Sequence, residues 1–197
     1  MAACEEPAYP AEISLVASNR PDAAGLQLAR QNGIPTSLVD HKAYTTKAGF
    51  EARLDATLQE AGAEIVCLAG FMRLLSAEFV EAWWDKLINI HPSLLPAFAG
   101  LETHARALKA GARIHGATVH FVRAETDQGP IIAQAAVPVL PDDSADALAA
   151  RVLRVEHRLY PLALRLVASG MATVVDERVR FEAAPFDGEA ALICPGA

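Results

Sequence analysis

An open α/β sheet with helices on both faces, mostly parallel at first and mixed or antiparallel towards its C-terminal end, is the fold this sequence predicts. Three observations point to it. Strand-like apolar runs alternate with helix-period segments along most of the chain. Glu64-Ile65-Val66-Cys67-Leu68-Ala69 is nearly all apolar, as a strand buried on both faces of a parallel sheet requires. The 197 residues, with 52% apolar and 21% charged side chains, suit one domain over 1–197 with a sizeable core.

Taken in order, Ala11 to Ser18 reads as a strand, and Asp22 to Gln31 as a helix closed by Asn32-Gly33. Thr36 to Val39 is a short strand. Lys47 to Ala61 is a helix carrying Phe50, Leu54 and Leu58 on one face. The apolar run Glu64 to Ala69 follows, then Ser76 caps a helix that buries Phe79, Val80 and Trp83. Leu87 to His91 is a strand, Thr103 to Ala110 a helix, and Ala117 to Val122 and Ile131 to Val139 two further strands. Ser144 caps a long helix reaching about Ser169, with a bend expected at Pro161, which lacks a backbone donor. Thr173 to Val175 and Arg178 to Arg180, split by Asp176-Glu177, form a terminal hairpin. No internal repeat, low-complexity tract or linker interrupts this pattern.

Composition narrows the function classes. No run approaches the roughly 18 uninterrupted apolar residues of a membrane span. The residues Met1 to Glu6 carry neither a basic stretch nor an apolar signal core, so the expected location is cytoplasmic. Cys4, Cys67 and Cys194 are odd in number and lack C-x-x-C spacing, which favours free thiols over a zinc site. The net charge of −7 disfavours a phosphate-backbone footprint, so no nucleic-acid partner is expected. Small anionic substrates remain compatible, because a pocket can be locally positive.

The chemistry concentrates in Ile88-Asn89-Ile90-His91-Pro92-Ser93-Leu94-Leu95-Pro96 and, further on, Asp127-Gln128-Gly129-Pro130. Asn89 and His91 are two apart, so an extended backbone points both side chains to one face. With Asp127 they supply a neutral amide donor, an imidazole and a carboxylate. Transfer of an acyl or formyl group onto an amine needs these groups. Its tetrahedral oxyanion requires prearranged donors, and protons must leave the amine and reach the departing nitrogen. A carboxylate beside His91 favours its charged form. Ligands of open parallel sheets gather beyond the carboxyl ends of the strands, and Gly70 to Arg73 and Asn89 to His91 both lie there. There is no G-x-S-x-G, and Ser93 lies between prolines, which excludes a serine hydrolase.

The segment His91-Pro92-Ser93-Leu94-Leu95-Pro96, with Gly100-Leu101, Thr103-His104, Asp127 before Gly129-Pro130, and Gly70-Phe71-Met72-Arg73-Leu74-Leu75 upstream, closely resembles the folate-dependent formyltransferase family. The resemblance runs from about Ala11 to Gly170, and within the family it is nearest the glycinamide ribonucleotide transformylases of purine synthesis. It implies the formyltransferase fold with a Rossmann-like N-terminal half. It implies 10-formyltetrahydrofolate as co-substrate, glycinamide ribonucleotide as acceptor, no metal, and a monomer or homodimer without membrane or nucleic-acid partners. Asn89, His91 and Asp127 match the catalytic trio. Met72, Arg73, Leu74 and Leu75 match the segment bordering the folate, and Arg123, Glu125 and Asp127 the loop over the pterin. Asn89 and His120 border the folate too, Lys47 stands where an Arg often meets its carboxylate tail, and Glu156 matches a ribonucleotide-binding residue.

Blander readings stand beside these. His91 could be a local hydrogen-bonding residue, Asp127 a turn former and Asn89 a strand-end contact. Met72, Leu74 and Leu75 could be core, Arg73 a solvated charge, His120 structural and Glu156 a surface residue. His115 and His120 should face opposite sides of their strand, which argues against chelation. Glu102 replaces a His common in the family. The family also begins with a strand and a Gly-x-Gly-Ser-Asn phosphate loop, not found in this sequence, and Met1 to Cys4 resembles the tail of the helix that follows that loop. The expectation is therefore an N-terminally truncated catalytic domain with impaired activity. The alternatives are a formyltetrahydrofolate hydrolase, a methionyl-tRNA formyltransferase, or an inactive remnant.

Overall fold

Residues 1–182 and Cys194 are described by a computed structural model in which every helix and strand expected above is present. The strands are β1 (Val16–Ser18), β2 (Thr36–Leu38), β3 (Val66–Leu68), β4 (Leu87–His91), β5 (Ile114–Phe121), β6 (Ile131–Pro138), β7 (Ala172–Val175) and β8 (Arg178–Phe181). The helices are α1 (Ala24–Gln31), α2 (Lys47–Glu60), α3 (Ala77–Ala82), α4 (Thr103–Lys109) and α5 (Ala145–Ala168). Two short 3-10 helices, Ala2–Glu5 and His41–Ala43, complete the list. The largest boundary change is at β1, which is three residues rather than the eight of Ala11 to Ser18. Apolar alternation marks where a strand can form, but ladder partners set its length, and pairing with β2 begins only at Val16 with Thr36.

Caps fix the helix starts. Thr46 Oγ1 accepts from Gly49 N at 3.1 Å, Ser76 Oγ from Phe79 N at 3.2 Å, and Ser144 Oγ from Ala147 N at 3.1 Å. Helix α5 runs through Pro161 as one helix of 24 residues. Its buried stripe Leu148, Val152, Leu159, Ala163 and Leu166 holds it to the sheet along its length. Among the described residues, no helix is long and apolar enough to cross a membrane.

The sheet is parallel in its first half and antiparallel in its second. β1 pairs with β2 and β3 with β4 in parallel, whereas β4–β5, β5–β6 and β7–β8 are antiparallel. Strand order is β3-β4-β5-β6 in the largest sheet, with β1-β2 and β7-β8 as separate ladders. Leu87 and Ile88, adjacent on β4, enter different cores. Leu87 joins Phe50, Leu54, Phe79 and Trp83 from α2, α3 and the residue after α3. Ile88 joins Val119, Phe121, Leu148 and Val152 from β5 and α5. Alternation along one strand thus places helices on both sheet faces. Each fully buried Leu, Ile or Phe contributes roughly 1.5–3 kcal/mol through removal from water.

Candidate active site

Because β3 and β4 are parallel, their carboxyl ends open in the same direction. Gly70 then turns the chain out of β3 with φ 62°, and Pro92 follows β4. β5 crosses antiparallel to β4 in a register that sets His120 opposite Asn89 and Thr118 opposite His91. Asp127 reaches the same place from the segment between β5 and β6. Gly129 makes that return possible, since a Cβ there would lie 1.8 Å from the carbonyl oxygen of Phe121.

The predicted trio is brought together. His91 Nδ1 lies 3.4 Å from Asp127 Oδ2, and both side chains are almost fully buried. His91 Nε2 lies 3.1 Å from the carbonyl oxygen of Phe98, so Nε2 carries a proton and donates to it. The other ring nitrogen, Nδ1, is then the one that faces Asp127. Asp127 Oδ2 also accepts from Gly100 N at 2.8 Å, while Oδ1 stands 3.9 Å from His120 Nε2, beyond hydrogen-bond distance.

His120 joins this cluster as a fourth member. Its Nδ1 is 2.8 Å from the Phe121 carbonyl oxygen, which can only accept, so Nδ1 is the protonated nitrogen. Burial depresses the His120 pKa, against weaker opposing effects of the Phe121 hydrogen bond and the Asp127 charge. The ring is therefore neutral, and Nε2 accepts from Asn89 Nδ2 at 3.3 Å. That contact orients the Asn89 amide and leaves its second N–H as a donor for a ligand.

Two loops carry the backbone side of the site. Thr118 Oγ1 donates to Ser93 O at 2.7 Å and accepts from Leu95 N at 3.0 Å. Gln134 Nε2 donates to Leu95 O at 2.9 Å, pinning the turn after β4 from below. Next along the chain, Phe98, Gly100 and Glu102 all have positive φ, at 55°, 81° and 56°. The non-glycine cases cost of order 1–3 kcal/mol each and persist only when surrounding contacts enforce them.

The other sequence-predicted residues divide. Met72 and Leu74 are 75% and 71% exposed, so they do not belong to a core and remain available to a ligand. Leu75 packs against the core that contains Phe50, and the Arg73 guanidinium sits 5.5 Å from the Phe50 ring centre. Lys47, 3.8 Å from Glu51, opens the helix that carries Phe50. Glu125 is exposed. Glu156 is half-buried on α5, and burial raises its pKa against the opposing charges of His157 and His91, which places it within electrostatic reach of His91. The Arg123 side chain is held elsewhere: Nη2 is 2.7 Å from Asp85, Nε is 2.7 Å from Glu177, and the guanidinium lies 3.8 Å over Trp84. His115 packs with His104 at 5.2 Å between ring centres, apart from the contacts of His120. Among the described residues, no group of three or more His, Cys, Asp or Glu side chains is disposed to hold a metal ion.

Sequence reasoning missed Phe98, Thr118 and Gln134, and saw in Gly100 only a member of the motif. Their contributions are backbone groups or long-range hydrogen bonds, for which residue type gives no signal. The tautomer of His120 was equally out of reach, because it depends on the Phe121 carbonyl and the strand register.

Comparison with known proteins finds a formyl transferase family model matching residues 1–164. A trifunctional purine biosynthetic protein adenosine-3 of Gallus gallus is 47% identical over 96% of this chain, which spans only 18% of that protein. A phosphoribosylglycinamide formyltransferase of Escherichia coli is 44% identical, covering 85% of this chain and 79% of that protein. The crystal structure of glycinamide ribonucleotide transformylase 1 from Symbiobacterium toebii superposes with a TM-score of 0.83 at 48% identity, covering 85% of this chain and 79% of that one.

Proposed function

We propose, from the premise that this chain belongs to the formyl transferase family, that it moves the formyl group of 10-formyltetrahydrofolate to the amine of glycinamide ribonucleotide. The observation that carries the reading is the convergence of Asn89, His91, His120 and Asp127 beyond the carboxyl end of β4. The glycinamide amine attacks the formyl carbon, and the carbonyl electrons move to oxygen. The free N–H of Asn89 donates to that oxygen as charge develops, with His91 beside it. Asp127 Oδ1, unbonded to any donor among the described residues, accepts the proton leaving the amine nitrogen. The C–N10 bond then breaks, and the His91–Asp127 pair returns a proton to N10 of the folate. No covalent enzyme intermediate forms, and the protons balance.

In this reading the exposed Met72 and Leu74, with Leu75, Glu125 and His120, border the folate, and Arg73 with Lys47 meets its carboxylate tail. A Lys donates without the bidentate fork of Arg, so its share is the weaker. Glu156 faces the ribonucleotide hydroxyls. The test is product analysis after mixing the protein with 10-formyltetrahydrofolate, with and without glycinamide ribonucleotide. Formylated ribonucleotide by mass spectrometry is the expected result. Formate release independent of the acceptor would instead indicate a hydrolase and overturn the reading.

A further inference from the structure

The loop running from Phe98 to Glu102 holds both His91 and Asp127 at once. The carbonyl of Phe98 accepts from His91 Nε2 at 3.1 Å, and the N–H of Gly100 donates to Asp127 Oδ2 at 2.8 Å. The position of this one loop therefore sets the separation of His91 and Asp127. Yet its backbone is strained, with positive φ at Phe98, Gly100 and Glu102. Between those residues lie the carbonyls of Ala99 and Leu101. Both accept from a single nitrogen, Arg106 Nη1, at 2.6 and 3.1 Å. The same guanidinium lies 5.8 Å from the Phe98 ring centre, and the opposite neighbour of that ring is His115 at 5.9 Å. Arg106 is solvent-exposed, on the second turn of α4, and has no carboxylate among its contacts in the described residues.

An exposed Arg usually points into water. Here it makes two charge-assisted bonds to the backbone and covers the ring of the residue that holds His91. We propose that Arg106 is a positioning residue of this site: it braces the Phe98–Glu102 loop, and through that loop it fixes His91 against Asp127. It touches no substrate. The inference rests on the formyl-transfer reading for its kinetic consequence, but not for its structural one.

Two substitutions in the full chain test it. Arg106→Met removes both donors and the charge while keeping a long apolar stem. Arg106→Lys keeps the charge and one donor group. If the brace operates, Arg106→Met lowers kcat about tenfold to a hundredfold, as small displacements of catalytic groups do, while KM for either substrate barely moves. Arg106→Lys recovers much of the loss. Independently of any substrate, the Gly100 amide proton in an NMR spectrum moves upfield in Arg106→Met and exchanges faster, because its bond to the Asp127 carboxylate lengthens. A Gly100 resonance identical to that of the parent overturns the proposal, whatever the activity or melting temperature. If the parent protein forms no formylated ribonucleotide, the formyl-transfer reading falls, and the Gly100 resonance alone still decides the brace.

Discussion

Asn89 and His120 face each other across the β4–β5 ladder, and the proton on one imidazole nitrogen decides which way the amide turns. The Phe121 carbonyl accepts a hydrogen bond from Nδ1–H, so Nε2 presents a lone pair to the Asn89 NH₂. In the proposed reaction this contact orients the Asn89 donor before substrate arrives, which would lower the reorganisation needed.

His120→Leu removes that acceptor and frees the Asn89 amide to rotate. The expected result is a fall in kcat of about tenfold to a hundredfold with little change in KM, less severe than loss of Asn89 itself. His120→Gln, whose carbonyl oxygen can accept in the same region, should recover part of it. Acid acts in the same direction. Burial depresses the His120 pKa, so the neutral ring survives to more acidic pH than a free imidazole. Once it protonates, Nε2 becomes a donor and the Asn89 amide loses its partner. A kcat–pH profile whose acid limb is unchanged in His120→Leu would remove this role.

Asn89→Ala should reduce turnover by about 100-fold or more, the usual loss when one oxyanion donor is removed. His91→Ala should reduce it by about 100-fold or more because it removes half of the pair that returns the proton to N10. Asp127→Asn is the sharper variant. Asn tolerates the φ of 58° found there and can still accept from Gly100 N, so the loop should stay in place. What disappears is the charge opposite His91 and the base for the amine proton, for a loss of about 100- to 10,000-fold. Near-normal formyl transfer by Asp127→Asn, measured beside an unchanged melting curve, would rule the carboxylate out as base.

His115 makes stability depend on pH. It is 1% exposed, and burial together with the neighbouring His104 pushes it down to about 4, against a weaker pull from the Pro92 backbone. Between pH 4 and about 6.5 the unfolded chain therefore binds a proton that the folded one refuses. Stability from this residue is complete above about pH 6.5 and is lost as pH falls towards 4, by up to roughly 3 kcal/mol. Urea titrations across that range should show the slope in the parent and a flatter one in His115→Leu. Equal slopes would assign acid sensitivity to other groups.

Two glycines should respond in opposite directions. Gly129→Ala drives a methyl group into the Phe121 carbonyl, 1.8 Å away, beside the bond that sets the His120 tautomer. A loss of about 2 kcal/mol or more is expected, since the obstruction is backbone and cannot step aside. Gly25, in α1, has nothing within 4 Å of its would-be Cβ, so Gly25→Ala should stabilise by about 0.5–1 kcal/mol. Thermal unfolding of the pair checks both signs.

What could be read from sequence was whatever residue type and short spacing encode. Asn89 and His91 on one face of β4 fall into that class, as do the caps Ser76 and Ser144, because local backbone geometry fixes where each side chain goes. Asp127, by contrast, was legible only through the family resemblance. Arg123 shows the limit. The family resemblance assigns its segment to the loop over the pterin, and its guanidinium is bonded to Asp85 and Glu177, which lie 38 and 54 residues away in the chain. Nothing local marks either carboxylate as its partner. Glu102, notable in sequence only as a replacement for a common His, proves to be a left-handed residue starting α4. Its role is conformational and was invisible in its chemistry.

Leu87 and Ile88 turn to opposite faces of the sheet, so β4 is packed from both sides and bonded along both edges. A strand so placed cannot detach without taking both cores with it. Its amide hydrogens should exchange with solvent only when the whole molecule opens, on the slowest timescale the protein possesses. The segments Phe71 to Leu75 and Phe98 to Glu102 have no such anchoring on both faces, and their amides should exchange far sooner. The rest of the site is thus assembled around a strand that stays still.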